Sequence, residues 1–176
     1  HTNDSGLLDV GDGHKIWWHD WGNKHAKTAI LHLHGGPGGG TKTKHKLSYD
    51  PSFQRVIFFD QRGCGQSLPF GSTEHNTTQD LIADIERLRE LFGFDTWMLS
   101  GHSWGSTLAL AYAIAHTERI KKMLLGGIFL GAKSEVDYIQ QGGLRTHYPE
   151  AWEQYIEVVP EDRRNDTVKF YSEQFA

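Results

Sequence analysis

Residues 96–115 read TWMLSGHSWGSTLALAYAIA and carry the strongest fold signal in the chain. A short apolar run ends at Ser100, and an alanine-rich run begins at Trp104 that is apolar nearly all round. Between them stands Gly-x-Ser-x-Gly, centred on Ser103. This context is typical of a sharp turn from a buried strand into a buried helix, which holds the serine hydroxyl clear of the sheet edge. We therefore predict that Ser103 is a nucleophile at a helix N-terminus, where developing negative charge is favoured.

The flanking sequence alternates apolar runs with turn signals and helical patterns. The strand candidates are residues 7–10, 15–21, 28–33, 55–59, 96–99 and 120–125. The first two, joined by Gly11-Asp12-Gly13, predict an antiparallel hairpin. The later runs are mostly apolar, and we interpret them as parallel strands that are buried on both faces. Residues 81–92 form an amphipathic helix pattern that Thr77 or Thr78 can cap. The order predicts an α/β fold, a mostly parallel sheet with flanking helices.

The character of the chain changes after Phe129. Residues 133–176 carry apolar positions at helical spacing and no convincing strand. We predict that residues 1–130 form the N-terminal part of the α/β core and that residues 131–176 begin a helical cap. Because the helical pattern is interrupted at Ala176, we expect the chain to be an N-terminal fragment.

Composition excludes several classes of partner. The chain has 176 residues, a formal net charge of −4 and one cysteine, Cys64. The one basic cluster, residues 42–46, is short, so nucleic acid is not expected as a partner. No apolar run approaches the ~20 residues of a membrane helix. A single cysteine cannot form an internal disulfide, which fits a reducing compartment. The oligomeric state is not set by the sequence.

The Gly-rich segment HGGPGGG, residues 34–40, follows the first predicted parallel strand. An acyl-transfer enzyme aims two backbone N–H groups at the oxyanion that forms during reaction. One comes from the residue after the nucleophile, here Trp104, and the other from a loop of this kind, where Gly36 is the candidate. A phosphate-binding loop is the rival interpretation, and it fails because neither of its glycine motifs is present. The residues expected to shape this loop are His34, Gly35 and Pro37.

A second polar loop, DQRGCGQS at residues 60–67, follows the next predicted strand. Asp60 and Arg62 are expected to form an ion pair that holds this turn. Cys64 lies between two glycines and is expected to be accessible. We interpret it as a bystander thiol, because no histidine is paired with it in the sequence pattern.

Histidines offer neither a metal site nor an evident base. His32 and His34 are expected to share a strand face, but no third ligand follows at zinc spacing, so no metal is predicted. His102 adjoins the nucleophile, and adjacent side chains at a sharp turn diverge.

A serine nucleophile also needs a histidine base and an acid that orients it. Glu135 or Asp137 followed by His147 has the required chain order, but this stretch is predicted to be helical. We therefore expect the acid and the base to lie beyond Ala176.

Taken in order, six motifs identify a family resemblance. They are HGGPGGG (34–40), FDQRGCGQS (59–67), NTTQDLIADIERLRE (76–90), GHSWGSTLALAYA (101–113), GIF (127–129) and PEAWEQY (149–155). This combination resembles the prolyl aminopeptidases, or proline iminopeptidases, which are serine α/β-hydrolases. The resemblance implies a cytoplasmic enzyme that releases N-terminal proline from peptides through an acyl-enzyme, without a cofactor. It also implies that Ser103 is the nucleophile, that Gly36 and Trp104 supply the oxyanion N–H groups, and that Phe129 lines the proline pocket.

Three positions depart from the family pattern. His102 stands where the family usually has glycine, Gly126 where it usually has arginine, and Ile139 where it often has an aromatic residue. Two alternatives stay open, because GHSWG is common among hydrolases of this fold and because the triad acid and base are expected outside this chain. One is an esterase, lactonase or amidase of the same fold, and the other is a non-catalytic homologue that binds a ligand or partner.

Overall fold

The computed structural model describes residues 1–174 and arranges six strands in one sheet. The strands are β1 (Thr2–Gly11), β2 (His14–Gly22), β3 (Ala29–Leu33), β4 (Arg55–Phe59), β5 (Trp97–His102) and β6 (Ile120–Gly126). Their spatial order is β1-β2-β4-β3-β5-β6. The hairpin β1–β2 and the pair β2–β4 are antiparallel, whereas β4, β3, β5 and β6 run parallel. The predicted α/β class and the N-terminal hairpin are both confirmed.

Two α-helices accompany the sheet, α1 (Thr78–Leu91) and α2 (Trp104–Ala115), together with short 3₁₀ turns at Thr43–Ser48 and Thr117–Arg119. Thr77 is the N-cap of α1. Its hydroxyl accepts a hydrogen bond from the Asp80 N–H (3.3 Å), and the Asp80 carboxylate accepts one from the Thr77 N–H (2.8 Å). This reciprocal pair satisfies two N–H groups that the first turn of a helix leaves without partners.

The strands β3 and β4 are buried on both faces, as their continuous apolar runs predicted. Leu31 and Ile57 belong to a large core cluster that includes side chains of α1 and α2. Ile30 and Phe58 point the other way, into a smaller cluster with Tyr49. Because side chains alternate along a strand, consecutive apolar residues contribute to the cores on both faces of the sheet.

Two burial predictions are wrong. Strand β6 was expected to be buried on both faces, but Leu124 is 71% exposed. Among the described residues β6 is an edge strand, with a neighbour on one side only. Helix α2 was expected to be buried all round. Leu108 and Tyr112 face the core, whereas Ile114 on the opposite side is 81% exposed. Apolar composition thus overstated the burial of both elements.

The chain divides into two compact units, residues 1–129 and a second unit from Leu130 onward. The regular elements of the second unit are helical within the described residues. They are α3 (Lys133–Asp137), a π-helical turn (Tyr138–Gly142), α4 (Gly143–His147), α5 (Pro149–Glu157), a 3₁₀ turn (Glu161–Arg163) and α6 (Thr167–Gln174). Tyr155 and Tyr171 stack with ring centroids 4.7 Å apart, and Val159 is buried. The role of this unit as a cap stays a prediction. Within residues 1–174 no helix is long and apolar enough to cross a bilayer.

Candidate active site

Ser103 joins β5 to α2 in a strained backbone conformation. Its φ and ψ angles are 56° and −125°, in a region that costs a non-glycine residue roughly 1–3 kcal/mol. The Ser103 N–H donates to the Gly126 carbonyl (3.1 Å), and the Ser106 hydroxyl donates to the Ser103 carbonyl (2.6 Å). Because α2 begins at Trp104, the Trp104 N–H belongs to the first turn and has no partner within the helix. The serine is therefore held at the positive end of the helix dipole.

The two glycines of the pentapeptide are required by close backbone contacts. A Cβ atom at Gly101 would lie 2.2 Å from the Gly105 carbonyl oxygen. A Cβ atom at Gly105 would lie 2.1 Å from the Leu33 carbonyl oxygen, at the end of β3. The start of α2 is thus packed directly against the segment that leads into the Gly-rich loop.

The Gly-rich loop itself lies against the serine. A Cβ atom at Gly35 would be 3.5 Å from the Cβ atom of Ser103. Gly36 follows with a φ angle of +125°, and a Cβ atom there would lie 2.6 Å from the Gly38 nitrogen, so only glycine fits. Gly36 and the adjoining Pro37 are exposed. The structure brings the two candidate oxyanion segments together on either side of Ser103.

Gln61 bridges these two segments, and the sequence analysis did not single it out. It is 2% exposed. Its N–H donates to His34 Nε2 (3.0 Å), its side-chain Nε2 donates to the His34 carbonyl (3.0 Å), and its Oε1 accepts from Trp104 Nε1 (2.9 Å). An uncharged glutamine between Asp60 and Arg62 offers little signal in a sequence. Its position just after a buried strand was the one available indication.

His34 is a neutral, buried member of this network. Because its Nε2 accepts from the Gln61 N–H, its proton is on Nδ1, which donates to the Gly35 carbonyl (2.9 Å). Burial lowers the pKa of His34, which keeps the ring neutral. Its side chain holds the start of the Gly-rich loop to the loop after β4.

The expected ion pair between Asp60 and Arg62 is absent, so that prediction is wrong. Asp60 accepts backbone N–H groups from Thr41 (2.6 Å) and Gln66 (2.8 Å). Arg62 makes a two-pronged pair with Asp84 on α1, at 2.7 and 2.8 Å. Both side chains are buried, and the hydrogen-bonding groups of each are satisfied by partners elsewhere in the chain rather than by one another.

Cys64 is also not accessible, contrary to expectation. It is 5% exposed, and its Sγ donates to the Arg62 carbonyl (3.3 Å). Burial raises the pKa of the thiol, which disfavours the reactive thiolate. The neighbouring glycines allow the loop to fold over the side chain rather than expose it.

His32 belongs to the smaller core and not to the loop. Its Nδ1 lies 2.8 Å from the Tyr49 hydroxyl, and the residue is 8% exposed. Burial is the main reason that its pKa falls to about 3. In residues 1–174 no group of three or more His, Cys, Asp or Glu side chains is arranged to hold a metal ion.

The low pKa of His32 makes stability depend on pH. Its pKa is about 3 in the folded chain against an ordinary value of 6.5. Between these values the unfolded chain binds a proton that the folded chain does not, so stability falls as the pH falls. A His32→Asn variant should therefore lose stability less steeply on acidification, by about 1.4 kcal/mol per pH unit. Urea unfolding at several pH values between about 6 and 4 measures this slope.

The matched control is His25→Asn, in an exposed loop. We expect it to keep the slope of the unchanged chain. A His32→Asn slope equal to that of the control would contradict the assignment.

The side chain of His102 is directed toward the end of β6, which does not favour a role as the base. Its imidazole lies on the end of β6, where a Cβ atom at Gly126 or Gly127 would come within 2.9 Å of the ring. The ring therefore occupies the space that a side chain at position 126 would need.

The rejected triad candidates have local partners within the second unit. His147 Nε2 lies 2.7 Å from the Tyr138 hydroxyl, and Asp137 pairs with Lys133 at 2.5 Å. Glu135 accepts two backbone N–H groups at the start of α3. All three stand on helical segments, as the sequence predicted.

Phe129 is tied to the first turns of α2. Its N–H donates to the Ser106 hydroxyl (3.1 Å), and its carbonyl accepts from the Thr107 hydroxyl (2.5 Å).

Beside Trp104 a cleft of about 430 Å³ opens. Among the residues that line this cleft are Pro37, Gly38, Gln61, Asn76 and Leu81.

Comparison with known proteins agrees with this geometry. Curated proline iminopeptidases from Arabidopsis thaliana and Neisseria meningitidis are each 44% identical to the chain, over 93% and 95% of its length. The alignments cover 43% and 54% of those relatives, so the chain spans about half the length of the curated relatives it matches. The resemblance inferred from the six motifs is confirmed.

Solved structures share the architecture. A proline iminopeptidase-related protein from Thermus thermophilus superimposes with a TM-score of 0.62 and 29% identity, over 71% of this chain and 44% of that one. The proline iminopeptidase of Mycobacterium smegmatis, at 22% identity, gives a TM-score of 0.62 over 94% of this chain and 66% of its own, which supports the fold alone.

A sequence model described as "alpha/beta hydrolase fold" matches residues 28–175, most of the chain. This match covers the Gly-rich loop, the loop after β4 and the strand-to-helix turn at Ser103. The sheet order, the strained serine and the adjoining Gly-rich loop agree with it. The chain belongs to the α/β-hydrolase fold family.

Proposed function

We propose that this chain carries the nucleophile and the oxyanion hole of a serine aminopeptidase that releases N-terminal proline from peptides. The observation that carries the proposal is Ser103, held in a strained conformation at the start of α2 and directly against Gly35. The substrate class is supported by the 44% identity to proteins named proline iminopeptidases.

The proposed chemistry is acyl transfer. Ser103 Oγ attacks the carbonyl carbon of the first peptide bond, and the carbonyl oxygen becomes an oxyanion. The N–H groups of Gly36 and Trp104 donate to that oxygen. The peptide C–N bond then breaks, and the leaving amine takes the proton that the Ser103 hydroxyl gave up. Water next hydrolyses the ester, which releases proline and restores the serine hydroxyl. A histidine base and an orienting acid must serve Ser103, and neither is assigned to a residue of this chain.

This reaction uses no cofactor and acts on a peptide with a free N-terminal proline. The resemblance to proline iminopeptidases implies that Phe129 lines the proline pocket, and its main-chain hydrogen bonds to Ser106 and Thr107 are compatible with that role. We place the enzyme in the cytoplasm, which is consistent with a lone, buried cysteine.

A second candidate is an esterase, lactonase or amidase of the same fold. The observation that favours it is His102, whose ring covers Gly126. The end of β6 beside the nucleophile therefore differs from the usual family pattern, in which an arginine stands at that position.

One assay separates these functions. The protein encoded by the whole gene is tested with proline p-nitroanilide, alanine p-nitroanilide and p-nitrophenyl acetate, and a Ser103→Ala variant serves as the blank. We expect hydrolysis of the proline amide well above that of the alanine amide, and none by the variant. Turnover of the ester alone would assign the second candidate. Turnover of none of the three would favour a binding protein without catalysis.

A further inference from the structure

We propose that Gln61 is a positioning residue that sets the geometry of the oxyanion hole. This inference rests on the proposed function, and it concerns a residue that makes no contact with substrate in the proposed chemistry. The juxtaposition that carries it is one buried amide hydrogen-bonded to both segments that supply the proposed oxyanion donors.

The orientation of the Gln61 amide follows from its partners. The indole N–H of Trp104 can only donate, so it must meet the oxygen of the amide. The NH₂ group is then directed at the His34 carbonyl, which can only accept. Both ends of the side chain are therefore used, and neither a carboxylate nor an apolar side chain can make the same pair of bonds.

The two partners of Gln61 lie on separate parts of the chain. Trp104 is 43 residues away and begins α2, whereas His34 is 27 residues away and begins the Gly-rich loop. The Gln61 main chain adds a third bond, to the His34 imidazole. Gln61 thus sets the distance between the proposed N–H donors of Trp104 and Gly36.

That distance matters because oxyanion donors act over a narrow range, about 2.7–3.1 Å from the oxygen they stabilise. A displacement of roughly 1 Å is enough to cost about a hundredfold in rate. A residue that anchors both donors should therefore affect the chemical step more than ground-state binding.

The test uses Gln61→Met in the protein encoded by the whole gene. Methionine approximates the volume and removes both side-chain hydrogen bonds. We expect kcat for proline p-nitroanilide to fall roughly ten- to hundredfold, with KM within about twofold of its starting value. The rate of labelling by a fluorophosphonate should fall in parallel, because that reagent also places an oxygen in the hole.

A second variant, Trp104→Phe, removes the indole N–H but keeps the main-chain N–H. We expect a similar fall in kcat. The double variant should be no worse than the more impaired single variant, because both changes break the same bridge. Gln66→Met is the matched control, since Gln66 is an exposed glutamine of the same loop, and we expect it to leave kcat unchanged.

Three outcomes would overturn the inference. The first is an unchanged kcat in Gln61→Met, whatever the result for Trp104→Phe. The second is a fall in kcat that matches a loss of folded protein by circular dichroism, which would assign a purely structural role. The third is a parent protein that reacts with neither substrate nor fluorophosphonate, which would remove the proposed function as well. Hydrolysis by the parent protein, combined with an unaffected Gln61→Met, would remove this inference alone.

Discussion

A Gly105→Ala variant of the protein encoded by the whole gene is expected to react with a fluorophosphonate at least roughly a hundredfold more slowly. The added methyl group would lie 2.1 Å from the Leu33 carbonyl oxygen and 2.9 Å from its carbon. Both are main-chain atoms at the end of a buried strand, so they cannot swing aside as the tip of a flexible side chain would. The start of α2 must therefore move, and the Trp104 N–H moves with it. Labelling rates measured by gel fluorescence test this.

The matched control is Gly142→Ala in the second unit. Its φ and ψ angles of −68° and −46° suit any residue, and a Cβ atom there would lie 3.5 Å from the Tyr138 ring, an ordinary contact. We expect unchanged labelling and a gain in stability of about 0.4–1 kcal/mol. If Gly105→Ala labels as fast as Gly142→Ala, the close approach of α2 to β3 is not required for reactivity.

Replacement of Arg62 by methionine is expected to destabilise the chain by about 3–5 kcal/mol. Arg62 and Asp84 are both almost inaccessible, and hydrogen bonding to Asp84 is the main reason that the pKa of Arg62 is raised. The guanidinium also donates to the carbonyls of His75 and Val10. Methionine would leave the Asp84 carboxylate buried without its principal partner. Urea unfolding followed by tryptophan fluorescence measures the loss.

Arg87→Met provides the control on the same carboxylate. Arg87 pairs with Asp84 at 3.2 Å, but its side chain is 44% exposed. Exposed pairs of this kind contribute below about 1 kcal/mol, so the control should cost little. Equal destabilisation by the two substitutions would show that burial of Arg62 does not govern the energetics of this cluster.

Local patterns predicted the regular elements well. The run 55–59 and the alanine-rich run from Trp104 to Ala115 agree with β4 and α2 at both ends. The run of β4 ends where the polar loop begins at Asp60, and the run of α2 begins directly after the turn at Ser103. β1 begins five residues before its predicted start at Leu7. The prediction missed Thr2–Gly6 because these residues carry no apolar signal, and they join the sheet through main-chain pairing with β2.

Contacts between distant residues were not predictable. The nearest acid to Arg62 in sequence is Asp60, and sequence proximity suggested the wrong ion pair. The true partner stands on α1, 22 residues away, and only the packing of that helix on the sheet brings it close. Gln61 was missed for the same reason, since its partners come from two other elements. Burial of β6 and α2 was overestimated because composition records which residues are apolar and not what covers them.

At position 103, selection for stability and selection for catalytic activity favour different residues. A glycine at this position would relieve the positive φ angle and stabilise the fold, yet it would delete the hydroxyl on which the proposed reaction depends. Variants chosen for thermal robustness alone would drift away from serine here, whereas variants chosen for turnover would retain the strain. Engineering of this domain should therefore seek stability at positions remote from the turn between β5 and α2.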